Sequence, residues 1–150
     1  MLIRLAAAAD ADILADFNCR LAVESENKTL DADTVRRGVD RGLNVGDEVT
    51  YFVAETENRI VGQLLLTREW SDWRDGWMYW LGSVYVHADF RGQGVFRQLV
   101  DHAKKQLKQR GDVVCLRLYV EHENQPAIET YNRLGFKDTG YRVMEMPVGQ

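Results

Sequence analysis

Between Val84 and Arg97 the chain reads VYVHADFRGQGVFR. A β-branched and aromatic run ends, Arg91 arrives, Gly92 and Gly94 follow, and a helical period begins. Glycines let the main chain adopt positive φ and let a ligand come close to it. The first amides of a helix have no partner within it and sit at the positive end of its dipole, so such a turn suits an anion, a pyrophosphate above all. Arg91 adds a fixed positive charge. The dinucleotide pattern GxGxxG would need glycine at 97, where Arg97 stands, and the GxxxxGK pattern followed by Ser or Thr is absent. On these residues alone, a glycine turn with no ligand is the competing reading.

The chemistry needs elements that hold the turn. Residues 2–6 predict a short first strand. Asp10 or Asp12 can cap a helix in which Ile13, Leu14, Phe17 and Leu21 share one face. A second helix is expected from Asp31 or Asp33, with Val35, Val39 and Leu43 aligned and Gly42 and Gly46 marking its end. The period then changes, and β-branched and aromatic residues take over. Residues 49–55 and 59–68 read as a hairpin turned at Asn58, residues 69–76 as a polar, tryptophan-bearing loop, and residues 77–87 as the third strand of the meander. A helix should run from Gly94 to about Arg110, with Val95, Leu99, Ala103 and Leu107 inward. The near-continuous apolar run at 113–120 suits a central strand covered on both faces. A helix from Asn124 to Leu134, stopped by Gly135, and strand character over 136–147 complete the expectation of one α+β domain, residues 1–150, with a mixed sheet.

Composition excludes several classes. The 150 residues are 45% apolar and 28% charged, which is globular rather than disordered. The net charge is −4 and no long basic stretch occurs, which argues against nucleic-acid partners. No stretch is long enough to span a bilayer. Cys19 and Cys115 show neither CxxC spacing nor a histidine cluster, so no metal is expected and a reducing compartment fits. The opening MLIRLAAAADAD does not read as a signal peptide, and a cytoplasmic protein is expected.

The stretch Arg91, Gly94, Phe96 resembles motif A of the GNAT N-acetyltransferases, Arg/Gln-x-x-Gly-x-Gly/Ala, preceded here by the strand VYVH. Phe96 stands where the family has glycine or alanine. Residues 123–136, ENQPAIETYNRLGF, resemble motif B, with its Asn, its Tyr and its Leu-Gly-Phe ending. The resemblance implies a sheet of about six to seven strands with about four helices, splayed between strands four and five. It implies acetyl-CoA as cosubstrate. The amides of Gly92, Gln93, Gly94, Val95, Phe96 and Arg97 would then meet the pyrophosphate, with Arg91 beside them. The main chain of Val84 and Val86, together with Asn124, would meet the pantetheine arm. A homodimer fits the resemblance, though no residue marks an interface.

Amine attack on a thioester needs a neutral amine, a donor for the oxyanion and a proton for the leaving thiolate. The resemblance gives the last role to Tyr131, seven residues after Asn124, and the second to the amide of Val86. The fourth strand offers no carboxylate: it reads Trp80, Leu81, Gly82, Ser83. Glu24 and Glu26, in the connection that lines the acceptor site of the family, are the candidate acids to hold an ammonium or take its proton through water. Glu69, Asp72, Asp75 and His87 are further candidates, each also readable as an ordinary surface group. Trp70, Trp73, Trp77 and Trp80 beside acids could form a cation-binding pocket, which favours a small primary amine as acceptor. The alternatives are a protein lysine or N-terminus as acceptor, or a non-catalytic acyl-CoA sensor module.

Overall fold

β-branched and aromatic residues between Val49 and Val86 build three long strands, and the remaining elements attach to them. The computed structural model describes residues 1–149. In chain order it has β1 (Leu2–Leu5), α1 (Ala11–Glu26), α2 (Ala32–Asn44), β2 (Val49–Thr56), β3 (Arg59–Ser71), β4 (Gly76–Val86), α3 (Val95–Arg110), β5 (Val113–Leu118) and α4 (Gln125–Arg133). The described residues divide into two compact units, Met1–Leu118 and the segment from Tyr119 onward. None of their helices is long and apolar enough to cross a membrane.

The first unit holds one sheet in the order β1-β2-β3-β4-β5. Every pair is antiparallel except β4 with β5, which is parallel. The sheet is therefore mixed, as the sequence implies. Its period of two sends neighbouring side chains to opposite faces. Tyr51 and Val53 pack with Ala11, Leu14, Ala15 and Val39, under α1 and α2. Phe52 points the other way, edge-on to His102 of α3 at 4.9 Å. Leu99, Ala103 and Leu107 bury the inner stripe of α3. Fully burying a Leu or Phe, as at Leu14, Phe17, Leu64 and Leu99, contributes about 1.5–3 kcal/mol each.

Four sequence expectations need correction. Five strands are found among the described residues rather than six to seven. The stretch 136–147 forms no strand there: Tyr141, Val143, Met144 and Met146 are exposed, and β-propensity is realised only where a ladder and a packed face supply partners. The expected loop at 69–76 shrinks to residues 72–75, because β3 and β4 zip on past it. Trp70 and Trp77 face each other across the hairpin at 5.0 Å, Arg68 stacks on Trp77 at 4.0 Å, and the Trp80 ring N–H donates to Glu69 at 2.9 Å. Such cross-strand aromatic pairs extend a hairpin. Finally, α2 runs through Gly42 to Asn44: glycine there lies close to Tyr51, whose ring a Cβ would meet at 3.3 Å, and does not end the helix.

The second unit is small. The Asn124 side chain caps α4 by accepting from the Ala127 amide at 3.3 Å, and Gly135 at φ +103° follows its end.

An ion-pair cluster joins β1, β2 and the start of α1. Arg4 donates to Asp10 at 2.7 Å and to Glu55 at 3.1 Å, while the Ala7 amide donates to Asp10 at 2.6 Å. The Arg4 hydrogen bond, aided by the Ala7 amide, holds the Asp10 carboxyl below the usual carboxylate range against its burial. A depressed pKa contributes stability above the unfolded value, near 3.9, and loses it as pH falls through the folded value. Asp10→Ala should therefore lower unfolding free energy by about 2 kcal/mol at neutral pH, less than a wholly buried pair because Arg4 is partly exposed. Urea titrations of both proteins should show that gap shrinking below about pH 4. A gap independent of pH would contradict the assignment.

Candidate functional site

The β4–β5 ladder ends at Leu81 opposite Leu118, so among the described residues Gly82–Val86 carries no strand on that side. On its other side β4 stays paired with β3, across a bulge between Gln63 and Leu65. At the bulge Ser83 adopts φ +46°. Gln63, fully buried, donates to the Ser83 carbonyl at 3.0 Å and to Asn18 of α1 at 2.8 Å, which pins the distortion. The His87 amide donates to Val61 of β3 at 2.8 Å. By strand alternation, the amide and carbonyl of Val86 then face the free edge. That carbonyl accepts from Arg91 Nε at 2.9 Å. Val84 lies next to the bulge.

A 3₁₀ turn at Ala88–Phe90 leads from β4 into the glycine turn. Gly92 and Gly94 sit at φ +73° and +82°, a region L side chains avoid, and a Cβ at either would meet no protein atom within 4 Å. The glycines are thus required by conformation, and the space over them is open. The first helical bond of α3 runs from the Gln98 amide to the Gly94 carbonyl, so the helix opens at the glycine turn. No acidic residue stands in that first turn. The helix end is seated firmly: a Cβ at Gly62 would come 2.9 Å from Val95 Cγ1. Phe96 is half-buried, so the bulky residue does not simply project over the turn. Gln93 donates to the Asp89 carbonyl at 3.2 Å, and Arg97 is exposed, 3.9 Å from Asp101.

Glu24, in the last turns of α1, reaches this place. One of its oxygens accepts from the Tyr85 hydroxyl at 2.5 Å and the other from Arg91 Nη2 at 2.7 Å. The Tyr85 and Arg91 hydrogen bonds hold its carboxyl below the usual range, while burial and the Glu24 contact push the Tyr85 phenol up. Glu26 is the exposed last residue of α1. Asp72 and Asp75 lie in the β3–β4 turn, and Glu69 is tied to Trp80; along β4 that turn is about 30 Å from Val86, at 3.3 Å per residue. His87 lies beside Arg59, its Nε2 at 3.0 Å. In the second unit, Asn124 caps α4 and Tyr131 is half-buried, its ring 5.9 Å from Phe136. Burial pushes the Tyr131 phenol above its ordinary value, so it keeps its proton at neutral pH. Among the described residues, three metal-ligating side chains converge only at Glu121, His122 and Glu123, all exposed.

Sequence reasoning missed Tyr85, Gln63 and Asn18. The period of two would have put Tyr85 on the α1 face of β4, but its partner lies 61 residues away.

A family model described as the acetyltransferase (GNAT) family matches residues 12–136. An uncharacterized N-acetyltransferase of Methanocaldococcus jannaschii is 34% identical over 93 residues, 61% of this chain and 41% of that protein. The chain thus spans about two fifths of that curated relative. The crystal structure of a possible acetyltransferase from Clostridium difficile 630 superposes with a TM-score of 0.93 at 38% identity, over 99% of this chain and 98% of that one. A predicted acetyltransferase from Clostridium acetobutylicum, solved with acetyl-CoA, shares the fold at a TM-score of 0.78 and 18% identity, over 97% and 95% of the two chains.

Gly94→Ala tests the cradle. Forcing a Cβ into positive φ should cost about 1 kcal/mol in stability, and the methyl should occupy the open space. Thermal unfolding with and without CoA should show a small loss in the free protein and a larger loss in the ligand-induced shift. An undiminished shift would rule this turn out as an anion cradle.

Proposed function

The chain belongs to the acetyltransferase (GNAT) family, and from that membership we propose that it moves an acetyl group from acetyl-CoA to the primary amine of a small molecule, by direct attack in a ternary complex. The observation that carries this reading is the free main-chain edge of β4 at Val86, set beside a positive-φ glycine turn with open space above it. The edge offers hydrogen bonds to an extended amide-bearing arm, and the turn offers amides and Arg91 to phosphates. Acetyl-CoA presents both, and supplies the acyl group as a thioester.

The residues take the following roles. The amides from Gly92 to Arg97 bind the pyrophosphate. Val84 and Val86 hold the pantetheine arm in register along β4, with Asn124 near it. The Val86 amide, facing the free edge, polarises the acyl carbonyl. Tyr131 keeps its proton and gives it to the leaving thiolate. Glu24 is held ionised and occupied on both oxygens, which suits it to hold charge; Glu26, exposed at the end of α1, is the carboxylate we assign to take the proton of the incoming ammonium through water, which leaves the neutral amine to attack. Residues 1–150 are read as a single acetyltransferase domain of a cytoplasmic enzyme.

Thiol release from acetyl-CoA, followed against polyamines, amino acids, aminoglycosides and short peptides, tests the proposal. One class of small amine should turn over, and Tyr131→Phe should lower kcat by about 10²-fold, the scale of a lost general acid. Turnover with peptides alone would move the acceptor to proteins. Tight CoA binding with no turnover would favour a non-catalytic acyl-CoA sensor.

A further inference from the structure

Arg91 is held from three sides. Its Nε donates to the Val86 carbonyl at 2.9 Å, its Nη2 donates to Glu24 at 2.7 Å, and its guanidinium lies 5.4 Å from the centre of the Tyr85 ring. Glu24 is itself fixed, since its second oxygen takes the Tyr85 hydroxyl at 2.5 Å. Tyr85 is buried against Phe17 of α1, with ring centres 4.9 Å apart. The chain of contacts therefore starts in the core, at Phe17, and ends on the residue that opens the glycine turn. The Arg91 side chain is still 48% exposed, so its charge remains within reach of a ligand.

We propose that Glu24 and Tyr85 are positioning residues for cofactor capture: together they fix Arg91 against the free edge of β4, so that the phosphate-binding turn is set before acetyl-CoA arrives. This inference rests on the reading that the turn binds a pyrophosphate. A long flexible cation loses rotamer freedom when it grips a phosphate, and contacts that order it beforehand remove that loss from the binding step. The carboxylate suits this work because it is ionised and accepts from one donor on each oxygen, and the two guanidinium donors, Nε to the Val86 carbonyl and Nη2 to Glu24, fix the direction of the charge. A second consequence concerns Val86. Its carbonyl accepts from Arg91, so the strand edge and the cation are tied at one residue. Glu24 then acts through Arg91 and does not take the proton of the amine.

The test separates capture from chemistry. CoA affinity is measured by calorimetry, and kcat and KM for acetyl-CoA by thiol release, on the full chain and on Glu24→Ala, Glu24→Gln, Tyr85→Phe, Arg91→Ala and the Glu24→Ala/Arg91→Ala pair. Glu24 is exposed, and Tyr85→Phe keeps the ring on Phe17, so the variants retain the core. In Glu24→Ala the Kd for CoA and the KM should rise about tenfold, as for a lost hydrogen bond to a charged group. Glu24→Gln and Tyr85→Phe should show smaller rises in the same direction. In all three, kcat at saturating acetyl-CoA should move much less than KM, and its pH profile should keep its shape. In the Arg91→Ala background, Glu24→Ala should add nothing, because coupled residues fail to add. A kcat collapse with unchanged CoA affinity would overturn the inference and make Glu24 a base. Additive losses would overturn it too, since Glu24 would then act without Arg91. Failure of the unsubstituted chain to bind CoA would sink the functional reading and this inference together, whereas binding unaltered by the Glu24 substitutions would sink this inference alone.

Discussion

The site depends on two neighbouring residues of β3 that point to opposite faces of the sheet. Gln63 turns toward α1 and spends its amide on Asn18 and on the Ser83 carbonyl, which keeps the end of β4 bulged. Gly62 faces the other way and lets Val95 come close enough to seat the first turn of α3. One residue shapes the edge of β4; the next locates the helix end beside it. Because the side-chain period is two, a slip of one residue in the β3 register would exchange these roles and destroy both. The registers of β2 and β4 on β3, with the buried faces on each side, prevent that slip.

From this constraint the electrostatics follow. A bulge that turns Val86 toward the free edge also turns its carbonyl toward Arg91. Tyr85, one residue earlier, falls on the α1 face and meets Phe17 and Glu24. A single stretch of β4 thus supplies the main-chain edge and anchors the charge beside it. The positive end of α3, the guanidinium and the absence of acids in the first helical turn combine in one direction, toward an anion.

Much of this was legible in the sequence, where local physics decides. The β-branched and aromatic runs over 49–86 mark the meander, and Glu57 and Asn58, both at positive φ, form the short hairpin turn that Asn58 suggests. Arg91, Gly92 and Gly94 announce the anion site through backbone conformation alone. What stayed hidden depends on distant partners. Glu24 looks like a surface acid until Tyr85 and Arg91 come to it across the fold. Residues 69–71 look like loop because their strand character lies in the pairing of Trp70 with Trp77, which is visible only across the hairpin. The stretch 136–147 has the residue types of a strand but none of the pairing that makes one.

The parallel pair β4–β5 has a kinetic side. The turns within the β2–β3–β4 meander span residues 57–58 and 72–75, so its ends meet at little loop-closure cost, whereas β5 joins β4 only after the crossover through residues 87–112. Long-range closure of this kind comes late in folding. The glycine turn and the start of α3 lie inside that crossover, while the edge they serve lies in the meander. The scaffold of the site therefore assembles early and its ligand-binding half is completed late. Any fluctuation that opens the crossover takes away the cradle and leaves the meander standing.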